Sequence, residues 1–469
     1  MLKTFDVEEL RDKLLADASQ CPREELKTVQ QLTDTIRHTE DHDLQLLVPT
    51  VARVVRDLSR VVIKCVTIAA ADTQNVPVLV ALDDRLVPLL VVMRSFIDRL
   101  LRTKRDKKDV NALTQWLPFV FTACYFVTEA DLPGASTMQS LVMADEVLDS
   151  ALLLVNAHNR EELVTTYVAQ MVALCAHDVD KHEWVAVTSI HKQVMLRIVE
   201  QVSFPHLGGD LLGRLLALTF PLIDDLADST QLIGVQLLRH IVQNVTSTEL
   251  RWYSDVLLEV LHTSLVVRKP RTLDVLLDCL VESLDKVSPP GEFKHYDRFM
   301  PRLLRDASMC SDVALRIVFV RHLRVLVVRQ GAPHSFNVIR YLQPLLTVFV
   351  AGFESVNVEL LVETLESVRA TVLAAWPRIA PHTEQILVGL LRAVAFCELF
   401  DDGADFTPTS KQKEQLLALC EDTLDLLHQV NASEGVVSDM LAAVSNQSPK
   451  LSPFCDRMQA KWAGHVSVT

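Results

Sequence analysis

The sequence predicts an all-α protein, a HEAT- or armadillo-like α-solenoid of stacked antiparallel helix pairs. Three observations lead there. Only 12 of 469 residues are Gly and 49% are apolar, a composition suited to long helices joined by short loops. Apolar residues recur at helical spacing almost to the C-terminus, and no alternating run is bounded by hairpin signals. A proline embedded in an apolar helix also recurs, at Pro49, Pro88, Pro118, Pro221, Pro301 and Pro344. Pro221 and Pro301 lie 80 residues apart, and Pro301 and Pro344 lie 43 apart. That spacing fits a unit of about 40 residues, with Leu250–Val287 as an intervening unit that lacks the proline. A two-helix hairpin cannot bury its apolar faces alone, whereas stacked neighbours share a continuous core. A proline inside a helix removes one backbone hydrogen bond and bends it. In the first turn, the place expected for Pro301 and Pro344, it costs almost nothing.

The elements follow in order. Residues 1–20 and 24–38 read as short helices, and 44–102 as three helices with a break near Asp72–Pro77. Residues 109–127 read as a helix and Glu129–Ser136 as a loop, with helices continuing over 137–203. Phe204–Gly209 (FPHLGG) is the best internal boundary, because a Pro and a Gly pair together break helices. Three regions result: divergent N-terminal helical repeats over 1–203, a regular repeat block over 210–397, and an exposed loop with a helical cap over 398–469. In the last, Asp401–Ser410 is polar, and helices are expected at 411–430, 434–445 and 453–462.

Bulk properties exclude several function classes. Mean hydropathy is +0.22, high for a soluble chain, and the longest uncharged stretch is Asn111–Thr128. That stretch carries Asn111, Gln115, Pro118 and several Thr, so it reads as a buried helix rather than a membrane span. The N-terminus reads as an amphipathic acidic helix rather than a signal peptide. A net charge of −14 argues against direct nucleic-acid binding. The one compact basic run, Lys104–Lys108, reads as a solvated loop, with a nuclear address or an anion contact as the alternatives. The nine cysteines include no CxxC pair, which points to buried thiols in a reducing compartment. A cytoplasmic protein is expected, with a nuclear location also allowed.

The most informative stretch is LALTFPLIDDLADSTQLIGVQLLRHIV, residues 216–242. Asp224 and Asp225 follow Pro221 at the C-terminal end of one helix, the unfavourable end of the dipole for acids. Asp228 and Gln231 form D-x-x-Q, a capping-box spacing for the next helix, with Ala227 and Leu232 at the staple positions. Gly234 costs that helix roughly 1 kcal/mol relative to Ala, and close approach of the preceding helix is the simplest compensation. The carboxylate pair therefore reads as turn chemistry, with no catalytic residue and no metal ligand assigned.

This stretch resembles the Tti-two family, the second Tel-two-interacting protein of the Triple-T co-chaperone complex. Pro221, Asp224, Asp225, Gly234, Leu237, Leu238 and His240 match the family pattern, and the resemblance extends more loosely over 210–397, including Trp376-Pro377-Arg378. The family usually carries a lysine where this chain has Gln231. The resemblance implies a non-catalytic scaffold without cofactors. Its implied partners are the first Tti protein most directly and the Tel-two protein. Indirect partners are the Hsp90 machinery and the phosphatidylinositol-3-kinase-related kinases that the complex matures. No nucleic acid or membrane is among them. Another HEAT-type adaptor, in nuclear transport or a vesicle coat, is the alternative reading, and a helical enzyme with metal-binding carboxylates is a third.

Two further constellations stand out. Cys175, His177, Asp178, Asp180 and His182 are dense enough to suggest a zinc site, although a polar inter-helix loop explains them. Arg316, Arg321, Arg324 and Arg329 lie along IVFVRHLRVLVVRQ and are candidate partner or phosphate contacts. A solvated stripe on a second repeat helix accounts for most of them. No Walker loop, GxSxG or kinase signature is present.

Overall fold

A computed structural model describes residues 23–71, 76–102, 115–129, 138–176, 184–331, 335–399, 408–431 and 435–466. The described residues form helices and turns and contain no strand. Packing divides the chain into two units, Met1–Glu249 and Leu250–Thr469. Phe204–Gly209 thus lies inside the first unit.

The first unit contains α1 (Arg23–His38), α2 (Asp41–Ala71), α3 (Val76–Arg102), α4 (Leu117–Glu129), α5 (Gln139–Val155), α6 (Arg160–Cys175), α7 (Ser189–Glu200), α8 (Asp210–Ile223) and α9 (Asp228–Gln243). Helix α3 packs on α1, α2 and α5, and α4 packs on α2, α5 and α6. Helix α7 then packs on α4, α6 and α9, and α8 on α9. Residues 44–102 were expected to give three helices, but the structure has two long ones, α2 and α3. Pro49 and Pro88 sit inside them and break neither. Helix α4 explains the apolar stretch around Pro118. Leu117, Pro118, Val120, Phe121 and Phe126 are all buried, because neighbouring helices cover it on several sides. No described helix is long and apolar enough to cross a membrane.

A short helix α10 (Ser247–Arg251) spans the division between the units. The second unit holds α11 (Ser254–Ser264), α12 (Pro270–Val287), α13 (Lys294–Met309), α14 (Val313–Gln330), the short α15 (Phe336–Arg340), α16 (Leu342–Gly352), α17 (Val358–Ala375), α18 (Thr383–Leu399), α19 (Ser410–Val430), α20 (Val436–Gln447) and α21 (Ser452–Val466). Four helix pairs, α11–α12, α13–α14, α16–α17 and α18–α19, stack in two layers. First helices contact first helices (α13 with α16, α16 with α18), and second helices contact second helices (α12, α14, α17 and α19 in turn). This is the packing of an α-solenoid, in which each pair supplies the apolar surface that its neighbour needs.

The interior position of the second helices shows in α14. Leu315, Ile317, Val318, Phe319, Val320, Leu323, Leu326 and Val327 are all buried, so its apolar residues are not confined to one stripe. Asp312 caps it, its Oδ1 accepting from the Leu315 N–H at 2.9 Å. Pro344 falls in the first turn of α16, as expected. Pro301 does not, because α13 begins at Lys294 and places it mid-helix. The run Lys104–Lys108 lies outside the described residues.

Candidate functional site

The family-pattern residues converge on the α8–α9 hinge. Helix α8 runs through Pro221 to Ile223, and Asp224 caps it in a right-handed conformation, φ −85°, ψ 0°. Asp225 then makes an Asx turn, its Oδ1 accepting from the Ala227 N–H at 3.1 Å. That bond fixes Ala227, not Asp228, as the N-cap of α9. The expected capping box is therefore not formed. Asp228 is the first residue of α9, where its charge complements the helix dipole. Gln231 faces the other way, its Nε2 donating to the Ile223 carbonyl at 2.9 Å and satisfying the end of α8. A staple is also absent, since the residue preceding the true cap, Leu226, is 98% exposed.

Gly234 is the point of closest approach. A Cβ there would lie 2.8 Å from Ile223 N and Leu222 Cβ, against the backbone of α8. Leu237 and Leu238 are buried beside it. His240 reaches outside the pair, its Nε2 donating to the Val202 carbonyl at 2.9 Å. Asn244 continues the clasp, accepting from the Phe204 N–H at 3.1 Å and donating to the His240 carbonyl at 3.0 Å. Glu249 holds the next turn, accepting from the Gly209 N–H at 2.8 Å and from Thr246 Oγ1 at 2.7 Å. These bonds hold the Glu249 carboxyl below the usual carboxylate range, the Thr246 hydroxyl first and the Gly209 amide next. The motif thus anchors the preceding segment, including Gly209 at φ +62°.

The supports of the hinge differ in how much sequence signal they carry. Thr246 and Glu249 form T-x-x-E, a capping signature visible in the chain. Lys192 and Trp184 carry no such signal. Trp184 Nε1 donates to the Leu218 carbonyl at 2.9 Å, in the turn before Pro221. Lys192 is buried and its Nζ donates to the Val185 carbonyl at 2.6 Å. Burial pulls its pKa down, and the Asp225 charge opposes that shift. One member of the acid pair therefore serves as a turn former and as a counter-charge for a buried lysine.

The arginines of α14 are engaged within the second unit. Arg321 donates to Glu363 at 2.8 Å and Glu359 at 3.1 Å on α17, and reaches Asp274 on α12 at 3.5 Å. Arg324 donates to Glu363 at 2.9 Å and pairs with Glu366. Arg329 pairs with Asp285 at 3.3 Å. Buried His322 donates from Nε2 to Asp274 at 2.8 Å, and this bond, aided by Arg321, holds Asp274 below the usual carboxylate range. The expected partner-contact stripe is thus an ion-pair ladder across three successive second helices, for Arg321, Arg324 and Arg329. Arg316 stands apart, with no ion-pair partner among the described residues.

The remaining candidate falls differently. Cys175 is buried at the end of α6, and burial pushes its thiol pKa up. Its carbonyl accepts from His191 Nδ1 at 2.9 Å. His177, Asp178, Asp180 and His182 lie outside the described residues. Among the described residues no three His, Cys, Asp or Glu side chains converge as metal ligands. Trp376-Pro377-Arg378 forms a short 3-10 turn after α17, with Trp376 half exposed.

No protein-family model matches the sequence. Curated relatives do. The chain is 24% identical over 326 residues to human TELO2-interacting protein 2, covering 66% of this chain and 62% of the human protein. The mouse and rat proteins of the same name are each 24% identical over 288 residues, 59% of this chain and 54% of theirs. This chain is related to the Tti-two family. The chain spans less than two thirds of the length of these relatives. In this chain the α8–α9 hinge is structural: its polar side chains close a turn, cap helix ends and tether one loop.

Proposed function

We propose that the chain is a non-catalytic, HEAT-type scaffold subunit of a Triple-T co-chaperone complex. It binds the first Tti protein most directly, and the Tel-two protein with it. Through that assembly it acts with the Hsp90 system in the maturation and stability of phosphatidylinositol-3-kinase-related kinases. The observation that carries this reading is the similarity to relatives named for their interaction with TELO2. The stacked helix pairs suit it, because each layer presents a long row of side chains for a partner to read. The polar clusters also suit it, because Asp225 closes the hinge turn and the α14 arginines Arg321, Arg324 and Arg329 tie neighbouring helices together. A cytoplasmic location, extending to the nucleus, accompanies the proposal.

Affinity purification of a tagged full-length chain is the test. The expected result is stoichiometric recovery of the first Tti and Tel-two proteins, with Hsp90-linked kinases at lower yield. Recovery of small GTPases or coat subunits in their place would overturn it in favour of a transport or coat adaptor.

A further inference from the structure

The first-helix layer of the second unit contains an open groove of about 540 Å³ between α13 and α16. Its floor is Leu304 and Val348, both buried, and its walls include exposed Pro301, Pro344 and Met309. Two of the recurring prolines therefore face one space. They suit an apolar wall, because proline presents a hydrocarbon ring and has no N–H to leave unpaired.

The groove has one charged group, Arg305, and no carboxylate lines it. The other arginines of α13 are neutralised: Arg298 pairs with Glu259, and Arg302 pairs with Asp306 and donates to the His262 carbonyl. Across the groove Arg340 pairs with Asp297. The Arg305 guanidinium has no ion pair or hydrogen bond among the described residues. In a chain with 60 acidic and 46 basic residues, an apolar groove whose only charge is an unpaired cation is selective. It repels nothing anionic and offers a desolvated carboxylate a charge-assisted bond.

We infer that this groove receives an amphipathic helix from a partner subunit, with apolar side chains against Leu304, Met309 and Val348 and an Asp or Glu opposite Arg305. A strand is the wrong occupant, because the walls are helices and offer no row of unpaired backbone groups for strand addition. The helix-in-groove mode needs only side-chain complementarity, which is what Pro301, Pro344 and Met309 provide. This inference rests on the Triple-T reading, since it takes the occupant from a subunit of that complex.

The test uses the full-length chain co-expressed with the first Tti and Tel-two proteins, with a benzophenone amino acid placed at Met309 or, across the groove, at Thr347. Both positions should crosslink to one partner segment with helical apolar spacing and an acidic residue. Arg305→Glu should weaken the complex about tenfold, and a lysine at the crosslinked carboxylate should restore it. Met309→Lys should also weaken it, and both exposed variants should keep the wild-type urea midpoint. Normal assembly of the Arg305→Glu and Met309→Lys double variant would overturn the groove while leaving the Triple-T reading intact. Failure of the wild-type chain to assemble at all would overturn both.

Discussion

The α8–α9 hinge and the α12–α14–α17 ladder hold helices together by opposite means. At the hinge, contact is steric: Gly234 lets α9 meet the backbone of α8, and the polar side chains there mostly bond backbone groups at helix ends. In the ladder, contact is electrostatic: Arg321 and Arg324 share Glu363, while His322 and Arg321 share Asp274. The first arrangement fixes one geometry, because a backbone cannot yield. The second joins side chains that tolerate small shifts between repeats. The two should therefore fail differently.

The largest expected effect is at Gly234. Gly234→Ala gains about 1 kcal/mol of helix propensity but puts a methyl group against the Leu222–Ile223 backbone. Overpacking of this kind costs about 1–3 kcal/mol, so a net loss is expected, and Gly234→Val should lose more. Urea unfolding measures it. An alanine variant more stable than wild type would show that the helices separate freely and that the hinge is not steric.

The ladder should break more gently. Glu363 is the shared acceptor and is largely shielded from solvent. Glu363→Gln should cost about 1–2 kcal/mol, between the values for exposed and buried pairs. A double-mutant cycle with Arg321→Met should return a positive coupling that shrinks in 1 M salt. Additive variants would reduce the ladder to ornament on an apolar interface.

Acid separates the same ladder more finely. Asp274 has a folded pKa depressed first by the His322 hydrogen bond, below an unfolded value of about 3.9. Its contribution is therefore present above that value and is lost as pH falls through the folded pKa. Asp274→Asn should start less stable at pH 7 and lose less on acidification from pH 5 to 2. Equal acid sensitivity in the two chains would remove the His322–Asp274 bond from the account.

The contrast also sorts what the sequence made legible. Helical periodicity and proline recurrence expressed the repeat architecture, and Gly234 announced a close contact, because each reflects a local requirement on residue type. The N-cap lies one residue before Asp228 and no capping box forms, because D-x-x-Q spacing alone does not fix a cap. Asp225 closes the turn before Asp228 is reached, and Gln231 finds a carbonyl on the previous helix instead. The sequence shows the ladder only as an arginine stripe, either solvated or offered to a partner or phosphate. Its acidic partners lie 38 to 47 residues away, and the period that would have paired them appears only once α12, α14 and α17 are aligned. Lys192 and Trp184 are illegible for a different reason: their partners are backbone carbonyls that any residue supplies.

The smallest expected effect concerns the acid pair. Asp225→Ala removes one hydrogen bond to the Ala227 amide and one counter-charge for Lys192, and Asp224→Ala changes an exposed cap. Together they should lower stability by about 1 kcal/mol, the usual net worth of such a bond. Without Asp225 the Lys192 pKa should fall further, because burial would act unopposed. The proposed binding to Triple-T subunits should survive, since the α13–α16 groove lies in the other unit. A chain that kept its stability and its partners but lost cell function would point the other way. It would return the pair to chemistry, because a turn former acts only through the fold, whereas a catalytic carboxylate can be lost while the fold stands.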